Sequence, residues 1–153
     1  MEDKDLLFNV KGICIKVHRH LGCGLIESAY KKVLCHALRK EGYHVDEELP
    51  IDIHYDGDII PGAFRADLVV EKRLLIELRA VETVLPADHL QINSYLQLSG
   101  IQNGLLVNFH SKRLIDGMYT TNLEDLRLKY PATPHPEEAV ISQDTQENQL
   151  LCL

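Results

Sequence analysis

The sequence has no tryptophan, few aromatic residues (6%) and no uncharged apolar run near the roughly 18 residues that span a membrane. Its N-terminal stretch, MEDKDLLFNVKG, is partly acidic and lacks a small-residue cleavage site, which is not typical of a signal peptide. The four cysteines form no C-x-x-C pair, so neither a zinc ribbon nor a disulfide framework is indicated. These absences predict a cytoplasmic protein with reduced thiols and no membrane partner.

Positive charge is also scarce, with 16 Lys and Arg against 23 Asp and Glu and a net charge of −7. This balance disfavours broad electrostatic binding to nucleic acid, while a local basic groove or a metal-bridged contact stays open. The length of 153 residues fits one domain with a real core, and the hydrophobic content of 45% is ordinary for a globular protein.

The first part of the chain has apolar residues at helical spacing. They predict one helix over residues 5–20 and a second over 25–41. Gly22-Cys23-Gly24 separates the two helices, and Gly42 is a suitable stop for the second.

The apolar period then becomes two, which predicts an antiparallel meander of three strands. The predicted strands cover residues 49–55, 59–70 and 74–80. Asp56-Gly57 is typical of a hairpin turn between the first two, and a loop at 71–73 joins the second to the third. Pro61-Gly62 predicts a bulge in the second strand. The first strand should bury one face, on which its apolar residues from Leu49 to Tyr55 alternate.

A helix and a further strand follow the meander. Pro86 begins a predicted helix over 87–98, and the apolar run at 104–109 predicts a strand buried on both faces. Because a strand, helix and strand in this order form a right-handed crossover, 104–109 should run parallel to 74–80. A weaker strand is expected at 117–121.

The composition changes near residue 130, where prolines and then acidic and polar residues follow. This change indicates a disordered acidic tail over 130–153. The predicted fold is therefore one α/β domain over 1–129, with two N-terminal helices and a mixed, mostly antiparallel sheet that has one helical crossover.

Charged residues stand out in the second and third predicted strands, because strands disfavour Asp and Glu. A three-residue loop would pair Asp67 with Glu77 and bring their Cβ atoms to about 5 Å. Arg65 lies on the same face as Asp67, and Arg79 on the same face as Glu77. Either a divalent cation bound by the two carboxylates or a closed ion-pair cluster with the two arginines would relieve the repulsion. The residues alone leave both arrangements open.

The predicted helices offer two further polar groups. Glu27 falls within the apolar stripe of the second helix, but it equally suits the first turn, where the helix dipole favours a carboxylate. Gln91 flanks the apolar stripe of the third helix, where it could orient a ligand or a water, or satisfy a strand end. Position alone decides neither role.

Several segments together resemble one known family. They are GLIESAY at 24–30, RADLVVE at 65–71, IELRAVE at 76–82, HLQINSYL at 89–96 and GLLVNF at 104–109. The pattern Gly24-x-x-Glu27-x-x-Tyr30 is similar to that of the bacterial GxxExxY proteins, which are placed in the PD-(D/E)XK nuclease superfamily. The resemblance extends over about residues 10–120.

This resemblance implies a restriction-endonuclease-like core and a role for each polar residue. Asp67 would match the metal-binding Asp, and Glu77 the acidic residue of the E-x-K motif. Glu27 would match the acidic residue of the first core helix, and Gln91 the polar residue of the helix after the motif. The family pattern has Lys where this chain has Arg79. Arginine keeps the charge and can bind phosphate oxygens in a fork, but it stays protonated and cannot act as a base.

The sequence thus predicts a nuclease-like phosphodiesterase that acts on nucleic acid with Mg²⁺ or Mn²⁺. In this interpretation Glu27, Asp67 and Glu77 surround the metal, Arg79 stabilises the phosphate, and Gln91 positions water or substrate. The alternative is a catalytically inactive nuclease-fold module that binds nucleic acid or a protein partner, which the negative charge and Arg79 favour. A homodimer is a further arrangement that the sequence leaves open.

Overall fold

The computed structural model of the chain describes residues 1–130. The predicted acidic tail lies outside the described residues, apart from Tyr130. Helices and strands occur in the following order: α1 (Asp3–Leu21), α2 (Glu27–Lys40), β1 (Val45–Tyr55), β2 (Asp58–Val70), β3 (Leu74–Arg79), α3 (Pro86–Ser99), β4 (Asn103–Asn108), a 3-10 turn (Leu114–Gly117), β5 (Met118–Asn122) and α4 (Leu123–Lys129).

The five strands form one sheet in sequence order, β1-β2-β3-β4-β5. All neighbours pair antiparallel except β3 and β4, which are parallel and connected through α3. The predicted α/β class, the mixed and mostly antiparallel sheet and the helical crossover are therefore confirmed. Among residues 1–130, no helix combines the length and apolar character that a bilayer crossing requires.

Helices cover both faces of the sheet, because β3 and β4 are apolar on both sides. On one face, α1 and α2 pack through Leu6, Val10, Tyr30 and Leu34 against inward residues of the sheet. On the other face, α3 and α4 form a second core, with Ile92, Leu96, Leu123 and Leu126 packed against Leu75 and Leu106. The result is a three-layer arrangement whose central parallel pair is sealed from solvent on both sides.

The hairpin of β1 and β2 extends as an arm beyond the helical layers. Its turn has positive φ at Asp56 (51°) and Gly57 (77°), the left-handed pair that a two-residue hairpin turn requires. The predicted bulge is confirmed: between the pairs Ile51–Phe64 and Ile53–Ile60, β1 advances by two residues and β2 by four. The expected burial of Tyr55 is wrong, since 66% of this residue is exposed where the arm has no layer against it.

The weaker strand expected at 117–121 is β5, whereas the 3-10 turn and α4 were not predicted from the sequence. The helix α4 has only 7 residues, and its N-terminus is fixed by the Asn122 side chain, which accepts hydrogen bonds from the backbone N–H groups of Glu124 and Asp125. A helix this short has little stability of its own, and the capping side chain supplies part of the stability that a longer helix would gain from its length.

Candidate functional site

The two carboxylates of the β2–β3 pair lie where these strands separate. The register is as predicted from the loop length, with Val70 opposite Leu74, and the ladder ends at Leu68–Ile76. At the next position the backbone N–H of Asp67 donates to Oε1 of Glu77 at 3.1 Å. The backbone N–H of Leu78 in turn donates to Oδ2 of Asp67 at 2.9 Å. Each carboxylate therefore accepts a backbone hydrogen bond in place of a missing bond of the β2–β3 ladder. Both side chains are thereby held at the point where the two strands separate.

Arg79, the last residue of β3, is the centre of the polar cluster. Its side chain is only 15% exposed, and all three guanidinium nitrogens have partners. Nε donates to Oδ1 of Asp88 at 3.1 Å, and Nη2 donates to Oε1 of Gln91 at 2.7 Å. Nη1 donates to the carbonyl oxygen of Leu78 at 2.8 Å. The planar guanidinium thus connects the end of β3 to α3 by hydrogen bonds of fixed geometry.

The same nitrogen, Nη1 of Arg79, also faces two of the predicted metal ligands. Oε2 of Glu77 lies 3.5 Å from it, and Oε1 of Glu27 lies 3.9 Å from it. The structure therefore brings Glu27, Glu77, Arg79 and Gln91 into one cluster, with Asp67 joined to it through its hydrogen bond with Glu77.

Glu27 reaches the cluster from the first position of α2, and its side chain is 44% exposed. Its place is set by Tyr30, which is fully buried and stacks on Phe109 with ring centroids 4.6 Å apart. The Tyr30 hydroxyl donates to the carbonyl oxygen of Gly22 and accepts from the backbone N–H of Leu25. Tyr30 therefore fixes the loop that leads into α2. The predicted burial of Glu27 in the apolar stripe is realised only in part.

Asp88, a member of the cluster, was missed by the sequence reasoning. It is the third residue of α3, and its Oδ2 accepts from the backbone N–H of Leu85 at 2.8 Å while Oδ1 accepts from Arg79. The signal was available, because an acidic residue three positions after a helix N-cap typically reaches back to the cap. Asp88 therefore both caps the helix and anchors the guanidinium.

Arg65, which the ion-pair alternative would include, takes no part in the cluster. Arg65 is exposed, and none of the ion pairs between residues 1 and 130 includes it. Arg79 is the cation that pairs with the carboxylates of the cluster, and α3 rather than β2 supplies the acidic partner nearest to it. A strand pattern could not show this, because it says nothing of which helix residue approaches from outside the sheet.

The cluster has more negative than positive charge. Burial, and then the nearby carboxylate of Asp67, raise the pKa of Glu77 to about 8. Burial and the charge of Asp67 also raise the pKa of Glu27. The pKa of Asp88 is lowered, first by the hydrogen bond from the Leu85 N–H and then by Arg79. Ionised together, the carboxylates of Glu27, Glu77 and Asp88 pair with one guanidinium and Asp67 adjoins Glu77, so the site favours a further cation or a proton.

Burial alone would lower the pKa of Arg79, but the hydrogen bond to Asp88 and the charges of Glu77 and Glu27 together raise it. The guanidinium is therefore permanently charged and is held by its neighbours.

Carboxylate oxygens are the donors that Mg²⁺ and Mn²⁺ prefer, so Asp67, Glu77 and Glu27 fit a divalent ion in chemistry and charge. Their arrangement is less complete, since no three His, Cys, Asp or Glu side chains within residues 1–130 are gathered to hold a metal. The guanidinium of Arg79 lies between Glu27 and Glu77 instead. A bound ion would require these two carboxylates to turn from Arg79 toward Asp67.

Comparisons with known proteins identify the fold and the family of the chain. The chain matches the crystal structure of SSO0001 with a TM-score of 0.50 and 21% identity, over 80% of this chain and 59% of that one. It thus spans less than two thirds of that protein, and at this identity the likeness shows a common fold alone. A comparison with curated proteins found no match. A family profile described as the PD-(D/E)XK nuclease superfamily matches residues 4–119, without distinguishing the GxxExxY group within it. The chain therefore belongs to the PD-(D/E)XK nuclease superfamily.

Proposed function

We propose that this domain is a phosphodiesterase that acts on nucleic acid with Mg²⁺ or Mn²⁺. The observation that carries the proposal is the gathering of Glu27, Asp67 and Glu77 beside one buried guanidinium, where burial and then the charge of Asp67 raise the pKa of Glu77 to about 8. Carboxylates that are costly to ionise without a counterion are common at functional sites, where a divalent cation offsets the cost.

The residues have separate roles in this proposal. Asp67 and Glu77, with Glu27 from α2, would hold the ion, which when bound supplies a polarised phosphate and a more acidic water. Arg79 would bind phosphate oxygens through its planar guanidinium, and Gln91, whose Oε1 accepts from Arg79 at 2.7 Å, would position water or substrate beside it. Because Arg79 cannot release its proton, a carboxylate of the cluster has to accept the proton of the attacking water.

Cleavage assays with single-stranded and duplex DNA and RNA, in Mg²⁺ or Mn²⁺, test the proposal. We expect metal-dependent cleavage that Asp67→Asn and Glu77→Gln abolish. The matched control Asp116→Asn removes an exposed carboxylate in the 3-10 turn and should leave the rate unchanged. Arg79→Lys should raise the rate, since lysine can also serve in proton transfer. The proposal fails when no substrate is cut by the wild type and Arg79→Lys restores nothing.

A second candidate function is a nuclease-fold module that binds nucleic acid or a protein partner without cleaving. The observation that favours it is that all three guanidinium nitrogens of Arg79 are already bonded within the chain. Thermal denaturation with Mn²⁺ separates the two functions. A carboxylate metal site gains about 2.7 kcal/mol at a metal concentration 100 times Kd. A cluster closed by Arg79 should gain nothing.

The finer assignments belong to the same proposal. The GLIESAY motif supports membership of the GxxExxY group, and the cysteine pattern supports a cytoplasmic location. Nucleic acid is the proposed partner. Self-association stays a prediction, and sedimentation of the full chain would test it.

A further inference from the structure

An aromatic pair adjoins the polar cluster and has no part in the proposed chemistry. Phe64 of β2 and Tyr95 of α3 stack with their ring centroids 4.0 Å apart and their planes inclined by 19°. Both residues pack against the edge of the second core, yet both remain partly exposed, unlike the fully buried Leu96 beside them. Packing against the second core explains the contacts of the two rings with buried residues. It does not explain why a stacked pair of rings is partly exposed to solvent at this position.

The pair is connected to the guanidinium through the side-chain amide of Gln91. Nε2 of Gln91 donates to the Tyr95 hydroxyl at 2.5 Å, and Oε1 of the same amide accepts from Nη2 of Arg79 at 2.7 Å. Gln91 and Tyr95 are four residues apart on α3, a separation of about 6 Å along the helix axis. One nucleotide is long enough to place its phosphate at Arg79 and its base beside the rings.

The charge distribution bears on which nucleic acid fits. Duplex binding depends on many phosphate contacts from Lys and Arg, whereas this chain has a net charge of −7 and a cluster with one guanidinium. Single strands offer another source of affinity, because each unpaired base can stack on an aromatic ring. Single strands also bind through basic residues, but the Phe64–Tyr95 pair can supply the stacking part of their affinity, which the paired bases of a duplex cannot use.

We infer that the substrate class of this site is single-stranded nucleic acid, with one base stacked on the Phe64–Tyr95 pair and the adjoining phosphate at Arg79. The inference rests on the proposed function for the phosphate site, and it adds the strandedness that the phosphate site alone does not define.

Fluorescence anisotropy of labelled oligonucleotides tests the preference, with a 12-nucleotide single strand and the matched duplex titrated by the full chain in Mg²⁺ and in EDTA. We expect the single strand to bind at least tenfold more tightly. Phe64→Leu should weaken single-strand binding about tenfold, within the range for loss of one stacked base, and leave duplex binding unchanged. Phe8→Leu alters a ring that is 78% exposed on α1 and should change neither.

The roles of the hydroxyl and of the ring of Tyr95 can be tested separately. Tyr95→Phe keeps the stack and removes the bond to Gln91, so base stacking should persist while contact with the phosphate weakens. Photo-crosslinking of the wild type to a strand containing 4-thiouracil needs no variant, and mass spectrometry should locate the adduct at Phe64 or Tyr95.

The possible results distinguish the inference from the proposed function. Equal or tighter duplex binding, an unchanged affinity of Phe64→Leu, or adducts only at remote residues would overturn the inference. If one of these results were found together with metal-dependent cleavage of duplex, the inference would fail and the phosphodiesterase proposal would stand. Tight, ring-dependent binding of a single strand without cleavage in any metal would support the inference and refute the phosphodiesterase proposal.

Discussion

Replacement of Arg79 by methionine tests whether the cluster is built around one cation. The substitution keeps a long apolar side chain and removes the guanidinium, which is 15% exposed and lies within 3.9 Å of carboxylate oxygens from Glu27, Glu77 and Asp88. Removal of one partner from a buried ion pair typically costs 3–5 kcal/mol. Since Glu27 is 44% exposed and water can screen it, we expect a loss of about 3 kcal/mol in the free energy of unfolding.

The loss should depend on pH, and its sign follows from Glu77. A carboxyl whose pKa is raised in the folded state favours folding fully below its ordinary value of 4.5, and this contribution is lost as the pH rises through about 8. Without Arg79 the folded-state pKa of Glu77 should rise further. The difference between Arg79→Met and the wild type should therefore be smallest near pH 4.5, where the lost pair with Asp88 still contributes, and largest above pH 8.

Urea unfolding followed by circular dichroism at pH 5 and pH 9, with and without Mn²⁺, measures these differences. Arg113→Met is the matched control, since Arg113 is 77% exposed and pairs with Asp116 at 3.8 Å, and its loss should stay below about 0.5 kcal/mol. Mn²⁺ should restore most of the stability that Arg79→Met loses at pH 9, because the ion would replace the missing charge. A loss under about 1 kcal/mol at pH 9, or a larger loss that neither acid nor Mn²⁺ reduces, would refute the reasoning.

Three further predictions concern neighbouring features. Mn²⁺ should bind more tightly as the pH is raised toward about 8, because Glu77 must lose its proton. Calorimetry in two buffers of different ionisation heat should detect the proton release, and an affinity that does not change between pH 6 and pH 8 would contradict this prediction. Tyr30→Phe should lower the free energy of unfolding by about 2 kcal/mol, since one carbonyl and one N–H of the loop before α2 lose their partner; urea unfolding measures it, and no loss would show that the hydroxyl does not fix the loop. Gly104→Ala should cost about 1–3 kcal/mol in the same assay, because the added Cβ would lie 2.8 Å from Cγ2 of Thr121, whereas Gly12→Ala, with no atom within 4 Å, should be neutral or stabilising.

The sequence was most informative where a local rule determines a long-range result. The length of the loop at 71–73 set the pairing of Val70 with Leu74, and this register alone placed Asp67 and Glu77 side by side. The apolar run at 104–109 and the helix before it likewise determined that β4 is parallel to β3. Alternation and connection length are properties of the chain itself, so they could be read before the structure was known.

Sequence reasoning was weaker where a side chain meets a partner from another layer. Arg65 and Arg79 have equivalent positions relative to the two carboxylates, and only the approach of α3 makes Arg79 the one that is enclosed. Asp88 was visible only as a helix-capping residue, although it also binds the guanidinium. Docking of a helix on a sheet depends on packing of the whole core, which no single segment encodes.

The hydrogen bonds that Asp67 and Glu77 accept where β2 and β3 separate affect how this site can change over evolution. Asp67 and Glu77 each accept a hydrogen bond from a backbone N–H of the opposite strand, beyond the last paired residues of the ladder. A protein of this fold without any catalytic function would still require an acceptor at both positions, or the backbone N–H groups of residues 67 and 78 would lose these partners. Retention of this acidic pair in a relative is therefore weak evidence of activity, and isosteric amides are better probes of chemistry here than alanine.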